Sequence, residues 1–90
     1  MQVSLTKSAS KELDKITKGD IYSSSLIKRF LIRLEKEKQP KSLPNAKKLQ
    51  GYDDERYRWR IANYRIIGII KDKELIIQVI KIATRQSAYE

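Results

Sequence analysis

The stretch Tyr57-Arg58-Trp59-Arg60-Ile61-Ala62-Asn63-Tyr64-Arg65-Ile66-Ile67 changes the period of the chain and decides its fold. Tyr57, Trp59 and Ile61 alternate with Arg58 and Arg60, the period of two expected when one face of a strand is buried. Ala62-Asn63 can turn the chain, because asparagine tolerates a positive φ. Tyr64–Lys71 then reads as an isoleucine-rich return strand, and Asp72-Lys73 as another tight turn. Glu74–Ile82 is apolar on both faces, with Leu75, Ile77 and Val79 against Ile76, Ile80 and Ile82, as in a central strand.

Upstream of this meander the period is helical. Met1, Val3 and Leu5 alternate with polar residues in a short first strand, and Thr6 or Ser8 can cap a helix. Ala9, Leu13 and Ile16 recur at helical spacing to about Lys18. Gly19 is expected to supply a left-handed turn, with Asp20 starting the next helix favourably for its dipole. Ile21–Lys38 carries Leu26, Ile27, Phe30, Leu31 and Leu34 on one face and Lys28, Arg33, Lys36 and Lys38 on the other. Leu26 and Ile27 exceed what one face buries, a surplus that a partner helix or edge packing could take up. Gln39–Asn45, with Pro40 and Pro44, reads as an ordered crossover. The expected fold class is α+β: an N-terminal strand, a helical hairpin, then a three-stranded antiparallel meander, with the helices on one face of the sheet.

Ninety residues are expected to make one domain spanning 1–90, since chains below about 150 residues rarely split. Without cysteine or histidine there is no thiolate nucleophile, no zinc knuckle and no ordinary general base near neutrality. Met1–Ser10 lacks a basic start followed by an apolar run, and no apolar stretch is long enough to span a bilayer. A cytoplasmic protein is expected, with no membrane partner, no small-molecule ligand and no cofactor. Twenty basic against 11 acidic residues give a net charge of +9, which points to a polyanionic partner. Asp53, Asp54 and Glu55 are not expected to hold a metal, because contiguous acids in a loop point in different directions. Gly51 reads as a loop residue needing conformational freedom, and Trp59 as a core anchor.

If Trp59 faces the helices, Arg58 and Arg60 project from the other face, about 7 Å apart at strand rise. Two guanidiniums so placed can clamp adjacent phosphate oxygens, although an ordinary solvated sheet face has the same pattern. In a meander Arg65, Arg85 and Tyr89 would gather beside them, a set suited to neutralising phosphates and stacking a base. Lys36, Lys38, Lys41, Lys47 and Lys48 form a candidate RNA or ribosome footprint, or else a solvated edge.

Lys48-Leu49-Gln50-Gly51, the Tyr57–Ile61 strand, Tyr64-Arg65-Ile66-Ile67 and the closing Arg85-Gln86-Ser87-Ala88-Tyr89 together resemble the RelE/ParE toxin superfamily. The resemblance covers nearly the whole chain. It implies the toxin of a type II toxin–antitoxin system, with an antitoxin as partner, and ribosome-dependent cleavage of mRNA without metal. In that chemistry the 2′-hydroxyl attacks the adjacent phosphate, leaving a 2′,3′-cyclic phosphate and a 5′-hydroxyl. Arg60 falls where the family accepts the 2′-hydroxyl proton, Arg58 and Arg65 where it stabilises the phosphorane. Arg85 would assist the leaving oxygen and Tyr89 would stack on the base. Two residues depart from the pattern. Arginine stays protonated, so Arg60 would act through its charge, and Thr84 stands where many relatives have histidine or lysine. Two other readings use the same residues: a ParE-like inhibitor of DNA gyrase without RNase activity, and a non-catalytic basic RNA-binding module.

Overall fold

The computed structural model describes residues 1–86. The element order is β1 (Gln2–Leu5), α1 (Lys7–Gly19), α2 (Ile21–Lys36), β2 (Ala46–Lys48), β3 (Arg56–Ile61), β4 (Tyr64–Lys71) and β5 (Ile76–Thr84). Short 3₁₀ turns at Pro40–Ser42 and Asp72–Glu74 complete the connections. The expected α+β class is present, with one strand more than the sequence reading placed. Ala46–Lys48 adds to the free edge of β3, with Ala46 opposite Trp59 and Lys48 opposite Tyr57. The sheet order is β1-β5-β4-β3-β2, antiparallel except where β1 runs parallel to β5. The apolar strand β5 is therefore flanked on both sides, as its patterning requires.

Capping residues define the helices. Thr6 Oγ1 accepts from the Ala9 amide at 3.1 Å, opening α1. Asp20 serves both helices: its amide donates to the Ile16 carbonyl, and its carboxylate accepts from the Ser23 amide at 3.1 Å. The break between α1 and α2 thus lies in the non-helical backbone of Asp20 (φ −148°, ψ 77°), and Gly19 is the last helical residue rather than a left-handed turn. A hydrogen bond of 2.6 Å between the Thr17 and Ser24 hydroxyls ties the two helices together.

Ala9, Leu13 and Ile16 of α1 and Ile27, Phe30, Leu31 and Leu34 of α2 pack on Trp59, Ile66, Ile77 and Val79 of the sheet. Trp59 is fully buried, and its indole N–H donates to the Pro40 carbonyl at 3.0 Å. That satisfies the one polar atom of the side chain and fastens the crossover under the sheet. Across the ladder Gly68 leaves room for the ring, since a Cβ there would stand 3.0 Å from Trp59 Cζ3. Ile27 lies wholly in the core and Leu26 is half-buried. The apolar surplus of α2 sits instead at Ile21, Tyr22 and Ile32, all exposed.

Two turns differ from expectation. At the β3–β4 turn the positive φ (53°) falls on Ala62, not Asn63. After the second 3₁₀ turn Leu75 takes a left-handed conformation and is 64% exposed, so β5 begins at Ile76. The ladder also slips within β5: Ile67 pairs with Lys81 but Gly68 with Val79, leaving Ile80 as the extra residue of a bulge. The bulge reverses the facing of the residues beyond it. Ile82 joins Val79 on the core side, and Ala83 turns to the open face opposite Arg65.

Candidate anion-binding site

The open face carries Arg56, Arg58 and Arg60 on β3 and Arg65 on β4. Arg60 stands directly opposite Arg65, which in turn pairs with Ala83. A pocket of about 480 Å³ opens at this end of the sheet, lined by Arg60, Asn63, Arg65, Thr84, Arg85 and Gln86. The β5 bulge is what makes this possible. Strict alternation from Ile77 would have carried residues 83 and 85 to the helix side, whereas the extra residue brings Arg85 round to the arginines.

Arg60 and Arg85 are exposed, but Arg65 is only 5% exposed, with Nη1 donating to the Tyr64 carbonyl at 3.4 Å. The sequence reading placed Arg65 beside Arg58 and Arg60 without indicating this burial. A buried guanidinium is held in one orientation, and its charge acts through less water than that of an exposed one.

Arg58 lies on the other side of Arg60, in a groove of about 470 Å³ with Pro44, Asn45 and Lys47. Its Nη1 donates to the Asn45 carbonyl at 3.2 Å, while its buried Nε has no hydrogen-bond partner. Asn45, read from sequence only as the end of the crossover, organises this strand. Its Nδ2 donates to the Arg60 carbonyl at 3.0 Å and its own carbonyl accepts from the Arg60 amide at 3.1 Å. The structure therefore brings Arg60, Arg65 and Arg85 together and sets Arg58 beside Arg60 in an adjoining groove. Tyr89 lies outside the described residues.

Arg56 has the same facing but a different role. Its guanidinium forks onto Asp54 at 3.2 and 2.8 Å and lies 3.9 Å over the Tyr52 ring, and the bond to Asp54 drives its pKa still higher. Of the five lysines, only Lys47 lines the Arg58 groove. Lys41 pairs with Asp72 at 3.1 Å and Glu55 at 3.6 Å, and Lys48 pairs with Glu55 at 3.6 Å. The hydrogen bond to Asp72 raises the Lys41 pKa. Lys36 and Lys38 are exposed at the end of α2. Among the described residues Asp54 thus answers to Arg56 and Glu55 to Lys41 and Lys48, and Gly51 takes the positive φ (87°) that this loop requires.

Three guanidiniums around one pocket, with no carboxylate among the described residues that line it, can neutralise a phosphodiester and the extra charge of its transition state. Among the described residues Thr84 is the only hydroxyl in the lining, and the three guanidiniums supply positive charge.

Fold and site define a small basic α+β protein with an arginine pocket on the uncovered face of its sheet. The chain belongs to the family described as ParE toxin of type II toxin-antitoxin system, parDE, which it matches over residues 3–89. It is thus a toxin of a type II toxin–antitoxin system. No curated protein matches the sequence. Among solved structures it is similar to a chain of the archaeal RelE-RelB complex from Pyrococcus horikoshii OT3, at 28% identity over 97% of each chain and a TM-score of 0.74. It is also similar to the YoeB/ParE toxin from Agrobacterium tumefaciens (15% identity, 94% of this chain and 99% of that one, TM-score 0.77). A chain of the intact E. coli RelBE toxin-antitoxin complex matches at 22% identity, over 92% of this chain and 94% of that one, with a TM-score of 0.70. The last two likenesses concern the fold alone. No helix among the described residues is long and apolar enough to cross a membrane.

Proposed function

We infer that this toxin arrests growth by cleaving mRNA on the ribosome, without a metal, and that an antitoxin holds it inactive in the cytoplasm. The observation that supports this reading is the pocket of Arg60, Arg65 and Arg85, which has the charge to receive a phosphodiester and, among the described residues, is lined by no carboxylate. Cleavage proceeds by attack of the 2′-hydroxyl on the adjacent phosphate, giving a 2′,3′-cyclic phosphate and a 5′-hydroxyl. Arg58, Arg60 and Arg65 stabilise the charge that builds on the phosphorane oxygens, and Arg85 the leaving 5′-oxygen. Tyr89 stacks on the displaced base. A ribosomal group or water takes the 2′-hydroxyl proton, since Arg60 stays charged. Lys36, Lys38, Lys41, Lys47 and Lys48 contribute to the ribosomal footprint, with Lys47 the best placed. An antitoxin is the expected partner, since a similar chain is part of the archaeal RelE-RelB complex, and the uncompensated arginine face is a surface it can cover.

A second reading is inhibition of DNA gyrase without RNA cleavage. It is favoured by the match to a ParE family and by the lack of a proton-transfer residue among the described residues of the pocket lining. Primer extension after induced expression separates the two. Cuts within translated codons, abolished by Arg85→Ala, support cleavage. Intact mRNA with inhibited supercoiling by purified gyrase supports the second reading and overturns the first.

A further inference from the structure

On the helix side of the β3–β4 turn lies another pocket, of about 390 Å³, between α2 and the end of β3. Its rim carries Arg29 and Arg33, one helical turn apart on α2, and Arg60, which also lines the pocket of Arg65 and Arg85. Leu26, Phe30 and Ile61 form an apolar floor. No carboxylate lines it among the described residues. Arg33 touches Glu37 only at 3.8 Å through an exposed i,i+4 pair, and among the described residues Arg29 and Arg60 form no ion pair. Two pockets of three arginines each therefore meet at one side chain, Arg60, on either side of the β3–β4 turn.

We propose that the second pocket binds a nucleotide of the same single-stranded RNA, whose backbone passes around the β3–β4 turn with Arg60 between two phosphates. Charge complementarity selects a polyanion, and the apolar floor within reach of guanidiniums selects one that carries flat aromatic groups. Single-stranded nucleic acid has both properties, with bases to lie on the half-buried Leu26 and Ile61 and phosphates for Arg29 and Arg33. The positive charge of α2 is thereby given a use that the cleavage pocket does not give it. This inference rests on the RNA-directed reading of the toxin, and the test separates their failures.

The probe is a fluorescein-labelled 2′-O-methyl RNA of about twelve nucleotides, which lacks the attacking hydroxyl, followed by anisotropy with the full-length chain. Removing two phosphate contacts lowers the salt slope for single strands by about 1.4, and affinity at about 0.15 M salt by about tenfold. Arg29→Ala/Arg33→Ala is expected to show both losses, and Arg29→Lys/Arg33→Lys to regain the slope. Lys7→Ala/Lys11→Ala removes the same charge from α1 and should leave affinity within about twofold. An equal loss in the α1 variant would reduce the effect to net charge and overturn the proposal. Full affinity in the α2 variant, with a loss in Arg85→Ala, would overturn it while leaving the cleavage pocket standing. A wild-type chain that binds no RNA would overturn the proposal, while the cleavage reading is decided separately by primer extension.

Discussion

Arg60 and Arg65 stand opposite one another in the β3–β4 ladder, the first exposed and the second almost wholly buried. Like charges placed directly opposite destabilise an antiparallel pair by about 0.2–1 kcal/mol. The arrangement works against the fold and in favour of an anion. Arg60→Gln is expected to raise stability by up to about 1 kcal/mol in urea unfolding, while growth arrest by the variant weakens. A variant both less stable and fully toxic would show that Arg60 serves the sheet rather than the site.

The Ile82 amide donates to Glu12 Oε1 at 3.0 Å. Because β1 ends at Leu5 opposite Val79, the far edge of β5 has no strand neighbour there, and a carboxylate from α1 takes its place. Hydrogen bonds to charged groups contribute about 1.5–3 kcal/mol, so Glu12→Ala should lower unfolding free energy by that order. Glu12→Gln keeps an acceptor and should lose much less. Guanidinium melts of the three proteins check this, and equal losses in both variants would point to charge instead of the bond.

Leu75 holds a positive φ of 57° at an exposed turn, where an L side chain is strained by about 1–2 kcal/mol. Leu75→Gly removes that strain at some entropic cost, for a net gain of about 1 kcal/mol. The midpoint of thermal unfolding should rise. A fall would mean that the exposed side chain makes contacts that matter more than its backbone.

Asp20 titrates below the ordinary value of 3.8, because Ser23 donates to its carboxylate from the side chain and from the backbone. A depressed folded pKa stabilises the protein above the unfolded value, and the benefit disappears as pH falls through the folded one. The link between α1 and α2 should therefore weaken below about pH 4. Asp20→Asn retains a capping oxygen but cannot titrate, so its melting temperature should fall less steeply between about pH 5 and 2 than that of the parent. Parallel curves would remove Asp20 from the acid response.

The parts that could be read from the sequence are those where one periodicity prevails over a whole element. Trp59 and its alternating arginines announced both the core and the open face, and Thr6 and Asp20 marked the helix starts. The features that escaped depend on contacts between elements. Ala46–Lys48 has no alternation of its own and is a strand because β3 offers it an edge. Nothing in Val79-Ile80-Lys81 distinguishes a bulge from regular pairing, yet the slip at Ile80 turns Arg85 toward the site. The burial of Arg65 and the two hydrogen bonds of Asn45 to Arg60 likewise come from strand neighbours. A Pro-Asn pair leading into a basic strand was the one available hint of the latter.

The parallel pairing of β1 with β5 also orders events during synthesis. Gln2 pairs with Ile76 and Leu5 with Val79, with more than seventy residues of chain between partners. Non-local pairing of this kind waits until both segments are free to meet. A growing chain that has released both helices and the β3–β4 hairpin still lacks the strand that β1 needs. It also lacks Thr84 and Arg85, which complete the pocket. The pocket is therefore among the last features of the described fold to form, and a chain interrupted before Thr84 lacks it.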